Sequence, residues 1–173
     1  VSPGAPGQYN NLLDLTDPHN PVFNPQHPLN LPSQIIYEVC GDLITGECQA
    51  GYDCDQAIIN VYDEIVINLA GNTTLCEDKI GTPEGTLTAT ITPNNEQFLI
   101  EWFNGFDALG TPFKVETNTR TSTFQPAQLG VHEYSIRATS LTYPGTECSE
   151  VIYNFPVTIN PLPVFSIPDR TMC

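Results

Sequence analysis

From Gln34 onward, apolar and polar residues alternate with a period of two, the signature of strands half-buried on one face. Gln34-Ile-Ile-Tyr-Glu-Val-Cys40 predicts one strand and Asp55-Gln-Ala-Ile-Ile-Asn-Val-Tyr62 a second. The polar, glycine-containing excursion between them carries Cys48, so the pair reads as a long hairpin closing a β-module at about residue 69. Leu87, Ala89 and Ile91 alternate with Thr86, Thr88, Thr90 and Thr92, which predicts a strand with a threonine outer face. Phe98, Ile100 and Trp102 alternate with Leu99, Glu101 and Phe103, and Asn104-Gly105 follows as a turn signal. Phe113–Thr117 and Thr121–Phe124 predict shorter strands, and Glu133–Ala138 and Val151–Ile159 close the pattern.

About seven short strands with no helical periodicity predict an all-β fold of antiparallel sandwich type. The single Trp falls on the third strand, where an immunoglobulin-like sandwich places its core Trp. Tyr134 sits where a tyrosine corner would lie. Ile136 takes the place of the strand-F cysteine of antibody domains, so their inter-sheet disulfide is absent.

Landmarks recur at an offset near 95 residues. Val61–Asn68 is echoed by Tyr153–Asn160, Phe23-Asn-Pro25 by Phe124-Gln-Pro126, and Ile36–Val39 by Tyr134–Arg137. Cys54 is echoed by Cys148, and Cys76 by Cys173. Such a period belongs to tandem domains and is too long for a solenoid unit. The expected organisation is therefore an incomplete immunoglobulin-like module over 1–69, a complete one over 70–162, and the start of another over 163–173. Residues 1–33 hold seven prolines and read as a Pro-rich, non-helical part of the first module.

The chain carries 20 acidic residues against 5 Lys and Arg, a formal charge of −15. That balance excludes nucleic acid as a natural partner and disfavours anionic lipid. No apolar stretch reaches the 18 or so residues of a membrane span, so direct membrane insertion is not expected. Six cysteines without a C-x-x-C pair point to disulfides in an oxidising compartment rather than to zinc or thioredoxin-type chemistry. The localisation this implies is extracellular or cell-surface.

The repeat positions predict a Cys76–Cys148 bridge tying the start of the second module to its last hairpin. In the first module Cys40 pairs either with Cys54 across the hairpin or with Cys48, and the residues leave both open. Asp42, Asp53 and Asp55 cluster around the first hairpin and are weak candidates for Ca²⁺, which takes hard oxygen ligands. No other metal or cofactor is expected. His19, His27 and His132 accompany no recognisable nucleophile, and no catalytic motif is present, so an enzyme is not expected. Lys79 and Lys114 raise the idea of a Lys–Asn isopeptide cross-link. Phe103 and Phe106, beside Asn104-Gly105, are candidates for an exposed stacking platform or a contact with a neighbouring module.

Thr123-Phe-Gln-Pro-Ala-Gln-Leu-Gly-Val-His-Glu-Tyr-Ser-Ile136 resembles a phrase of the tandem immunoglobulin-like modules in giant Bacteroidetes cell-surface adhesins. Val157-Thr-Ile-Asn-Pro-Leu-Pro-Val164 resembles the joint between such modules. Tyr37-Glu-Val-Cys40 with Cys54-Asp-Gln-Ala-Ile-Ile59 resembles a closing hairpin of related modules. The resemblance implies adhesins exported by the type IX secretion system, such as SprB-type gliding adhesins. It brings no catalytic residues. The expected role is a non-enzymatic spacer or display unit in attachment or gliding motility, its partners being neighbouring modules and a surface polysaccharide or other adhesion ligand. The alternative is an accessory carbohydrate-binding module of a secreted polysaccharide-degrading enzyme.

Overall fold

The computed structural model describes residues 9–17, 22–24, 33–42 and 52–165, and shows an all-β chain divided between Tyr62 and Asp63 into two compact units. In unit 1, the short β1 (Leu13–Asp14) and β2 (Val22–Phe23) pair antiparallel, and β3 (Gln34–Asp42) pairs antiparallel with β4 (Tyr52–Asn60). A two-stranded ribbon buries little by itself. Leu12 and Ile35 are the buried apolar residues described there, at 3% and 2% exposure, while Val39 and Ile58 stand more than half exposed. Phe23 meets Tyr37 edge-on, and the Tyr37 hydroxyl donates to the Tyr9 carbonyl at 2.7 Å.

The described residues of unit 2 form a sandwich of eight strands: β5 (Val66–Ala70), β6 (Thr74–Cys76), β7 (Leu87–Thr92), β8 (Phe98–Asn104), β9 (Lys114–Thr119), β10 (Thr121–Phe124), β11 (Gly130–Ser140) and β12 (Glu150–Asn160). One sheet has the order β10-β7-β5, and the other β6-β12-β11-β8-β9. All pairings in unit 2 are antiparallel except β6 with β12. The β8, β11 and β12 trio faces the β7–β10 pair, and the first strand is shared between sheets as β5 and then β6. This is an immunoglobulin-like arrangement.

The alternation places the core as expected. Leu87, Ala89 and Ile91 on β7 and Phe98, Ile100 and Trp102 on β8 are all fully buried. Ile136 lies directly opposite Trp102 and is fully buried with it. The indole N–H donates to Ser122 Oγ at 2.7 Å, so the one polar atom of the largest core side chain has a partner. Around it Trp102, Phe113, Phe124, Tyr134 and Phe155 form a run of ring contacts 4.9 to 6.2 Å apart. Such offset and edge-on pairs add about 0.5–1.5 kcal/mol each beyond area burial.

The strand Val66–Ala70, which the alternation alone assigns to the end of the first module, pairs with β7 and contributes Ile67 to the unit 2 core. The apparent echo of Val61–Asn68 in Tyr153–Asn160 therefore joins unlike elements, the first crossing into β5 and the second lying in β12. Alternating β-branched residues recur in any strand, so short matches of that kind do not define equivalence.

Candidate functional site at the C-terminal pole of unit 2

Unit 2 has two poles, and the chain uses both. At the first, β5 begins with Val66 opposite Thr92, and the Tyr143 hydroxyl of the β11–β12 connection donates to the Asp63 carbonyl at 3.3 Å. At the second, β12 ends with Asn160 opposite Cys76, and the Leu162 N–H reaches Glu77 Oε2 at 3.3 Å. The chain thus enters at one pole and leaves at the other.

The most constructed loop is the β8–β9 connection at the C-terminal pole. Asp107 and Ala108 both adopt left-handed backbone, φ 61° and 51°. That is costly for residues with a Cβ and is held only by surrounding contacts. Here the contacts are explicit. Asp107 N donates to Asn154 Oδ1 at 2.9 Å while Asn154 Nδ2 returns a bond to Asp107 Oδ1 at 2.7 Å. Ala108 N donates to Ser135 Oγ at 2.9 Å, and the Ser135 hydroxyl donates to Gly105 O at 2.9 Å. Ser135 and Asn154 sit on β11 and β12, so the loop is clasped onto the outer face of the five-stranded sheet.

Phe103 is a correction to the expectation of an exposed platform: it is fully buried on that outer face. The Arg137 guanidinium lies over its ring at 5.1 Å and pairs with Glu101 Oε2 at 2.7 Å. Phe106 is exposed as expected, and Leu109 beside it is turned further outward, at 73% exposure. A shallow open groove beside the clasp is lined by Asn104, Gly105, Gln128, Val131, His132 and Glu133. His132 sits there with one ring nitrogen 2.9 Å from the Leu129 carbonyl.

The expected Cys76–Cys148 bridge does not form: both thiols are free and exposed. Cys76 lies opposite Asn160 at one end of β12, and Cys148 precedes Glu150 at the other end. Eleven residues of strand at about 3.3 Å each separate those ends by roughly 36 Å. A disulfide tolerates Cα atoms no more than about 7 Å apart. Within unit 1 the alternative left open by sequence resolves as Cys40–Cys54, with Cα atoms 4.1 Å apart on directly opposed positions. Cys48 and Cys173 lie outside the described residues, as do His19 and His27.

Of the calcium candidates, Asp55 is exposed and accepts from the N–H of Gln56 at 2.8 Å. The backbone register sets Asp53 opposite Gly41 and Asp55 opposite Val39, while Asp42 is opposite Tyr52 and so of the other parity along the ribbon. Among the described residues no three His, Cys, Asp or Glu side chains converge. Lys79 pairs with Glu84 at 2.7 Å and Asp78 at 3.5 Å, and Lys114 pairs with Glu116 at 3.2 Å and donates to the Thr123 carbonyl. Both lysines are thus engaged by carboxylates.

The clasp was not legible from sequence. Asp107 and Ala108 carry no glycine signal for left-handed backbone, and their anchors lie more than twenty residues away on other strands.

No protein-family profile matches the chain, and no curated protein matches it. Among solved structures, the PKD domain of human KIAA0319 is 13% identical, covers 62% of this chain and 89% of its own, and superposes with a TM-score of 0.33. The assignment of an immunoglobulin-like sandwich rests on the strand order and register above.

Proposed function

We propose that this chain is a non-enzymatic repeat segment of a large bacterial cell-surface adhesin filament, acting as spacer and display unit in attachment or gliding motility. The observation that carries the reading is the placement of the chain's inlet and outlet on opposite poles of unit 2. A bead so built lengthens a filament by its full height of roughly 36 Å, set by β12. The outlet, Asn160-Pro-Leu-Pro163, is stiffened by two prolines and tethered to Glu77 through Leu162. An extracellular setting is supported by the Cys40–Cys54 bridge, which an oxidising compartment preserves. The sequence resemblance to Bacteroidetes adhesin modules is what narrows the proposal to type IX export and SprB-type filaments.

A second reading, an accessory carbohydrate-binding module, is favoured by one feature: the groove at the clasped pole offers the amides of Asn104 and Gln128 beside the exposed Leu109 loop. A glycan array and a hydrolase substrate screen on the purified chain separate the two. Absence of both binding and turnover is the expected outcome. Saturable glycan binding abolished by Gln128→Ala selects the binding module, and turnover of any substrate ends both readings.

A further inference from the structure

Resting on the spacer reading, we propose that the two units answer tension in different ways, unit 2 as a shear-loaded lock and unit 1 as a zipper with a covalent stop. In unit 2, tension draws β5 and β6 toward the first pole and β12 toward the second. β6 runs parallel to β12, with Thr74, Leu75 and Cys76 opposite Thr158, Ile159 and Asn160, and Thr158 N donates to Thr73 O at 2.7 Å. Parallel strands pulled in opposite senses slide along their common axis. Every bond of the patch is then loaded at once, and none opens ahead of the others. β5 is drawn along its axis too, against five paired residues of β7, while Ile67 and Leu75 must leave the core together.

Unit 1 has the opposite geometry. Its ribbon begins with Gln34 and ends with Asn60, and these two residues are partners, joined further by a Gln34 Nε2 bond to Asn60 Oδ1 at 3.1 Å. Val61 N also donates to Ser33 O at 2.9 Å. Tension applied there parts one pair at a time. The peeling halts at Cys40–Cys54, after the residues 34–39 and 55–60 have been released, roughly 40 Å of extended chain. The bridge encloses a sequence separation of 14, which at about 3.3–3.6 Å per residue holds back roughly 45 Å more. Unit 1 is therefore a soft extension of fixed length in an oxidising medium, and a longer one once the disulfide is reduced.

The test stretches the full chain between peptide-tag handles at its two termini, so that every thiol stays free of attachment. Forced release is governed by the unfolding barrier along the pulling direction. The expected record has a low-force release from unit 1, and a unit 2 release at no less than twice that force. Adding reductant should lengthen the low-force release by roughly 45 Å and leave the unit 2 force unchanged. A second attachment, with one handle on the exposed Cys76 and the other at the C-terminus, peels β6 from β12 in place of sliding them. It uses a chain with Cys48, Cys148 and Cys173 replaced by Ser, and should lower the unit 2 force at least twofold. Equal forces for the two pulling directions, or unit 2 yielding before unit 1, overturn the shear lock. A low-force length indifferent to reductant overturns the stop. Glycan binding or turnover would end the spacer reading while leaving these forces as they are, so the two failures are distinct.

Discussion

The ribbons β3–β4 and β11–β12 are the same device held in two ways. Each is a long antiparallel hairpin, nine residues a strand in unit 1 and eleven in unit 2. In unit 2 one face of the ribbon packs Tyr134, Ile136, Ala138, Phe155, Val157 and Ile159 against the opposite sheet, and Cys76 and Cys148 are free thiols. In unit 1 Ile35 alone among the described ribbon side chains is buried, and Cys40–Cys54 joins the strands covalently. A cross-link in place of a core is what small β-elements use when there is too little apolar surface to bury. The disulfide of this chain therefore sits in the unit that is short of a core.

The strongest challenge to that contrast is Trp102→Ala. The side chain is fully buried, and its removal also takes the indole N–H bond from Ser122 Oγ. The expected loss is about 3–5 kcal/mol from unit 2, read as a shift of its denaturant midpoint by circular dichroism. Unit 1 should be untouched. A loss below about 1 kcal/mol would mean that the unit 2 ribbon is not core-held.

Breaking the bridge tests the other side. Cys54→Ser, or reduction, should cost unit 1 about 3 kcal/mol for a loop of this length. The ribbon amides of β3 and β4 should then exchange hydrogen faster. Trp102, the single Trp of the chain, reports unit 2 alone, and its unfolding transition should not move. A joint shift of both would refute the independence of the two ways of holding a hairpin.

How far the alternation reaches follows from the same contrast. Where a strand buries one face, as Leu87–Thr92 and Phe98–Asn104 do, period-two patterning named the core residues and the Trp correctly. It failed at Val66–Ala70, because alternation says which face is buried and not against which neighbour. It missed β6, three residues long and paired at its edge, too short to carry a period. It misplaced Phe103, since an outward-facing aromatic is exposed unless a distant segment covers it. Here the cover over the ring is the Arg137 guanidinium, 34 residues further along the chain and held by Glu101.

An effect of intermediate size is expected at the clasp. Ser135 is fully buried on β11, and its Oγ both accepts from Ala108 N and donates to Gly105 O. Ser135→Ala leaves a buried N–H without its partner, at a cost of about 1–3 kcal/mol. Nuclear magnetic resonance should show shifts over residues 105–113 and at Phe103, with the β7 and β10 resonances in place. If the shifts instead spread through the opposite sheet, the loop is part of the core.

The smallest effect concerns Glu116, a carboxylate tied to the Trp102 site through Ser122. Its side chain is 37% exposed, yet Oε2 is buried, while Oε1 meets Lys114 Nζ at 3.2 Å. The Ser122 hydroxyl holds the Glu116 carboxyl below its usual range, and burial opposes the shift. The neighbouring Lys114 ammonium, through its hydrogen bond and its charge, adds to the lowering. A carboxyl with a depressed folded pKa binds protons more readily when unfolded, so its stabilisation is present above the ordinary glutamate range and is lost as pH falls through the folded value. Unit 2 should therefore weaken as pH drops below about 4.5, and Glu116→Gln should flatten that part of its stability profile. The partial exposure keeps the effect modest, since solvent screens the Lys114 pair. Unit 1, whose bridge does not titrate, serves as the control, because reduction should lower its stability equally at either pH. A profile for unit 2 that Glu116→Gln leaves unchanged would remove Glu116 from the network around Trp102 and leave Ser122 alone to satisfy the indole N–H.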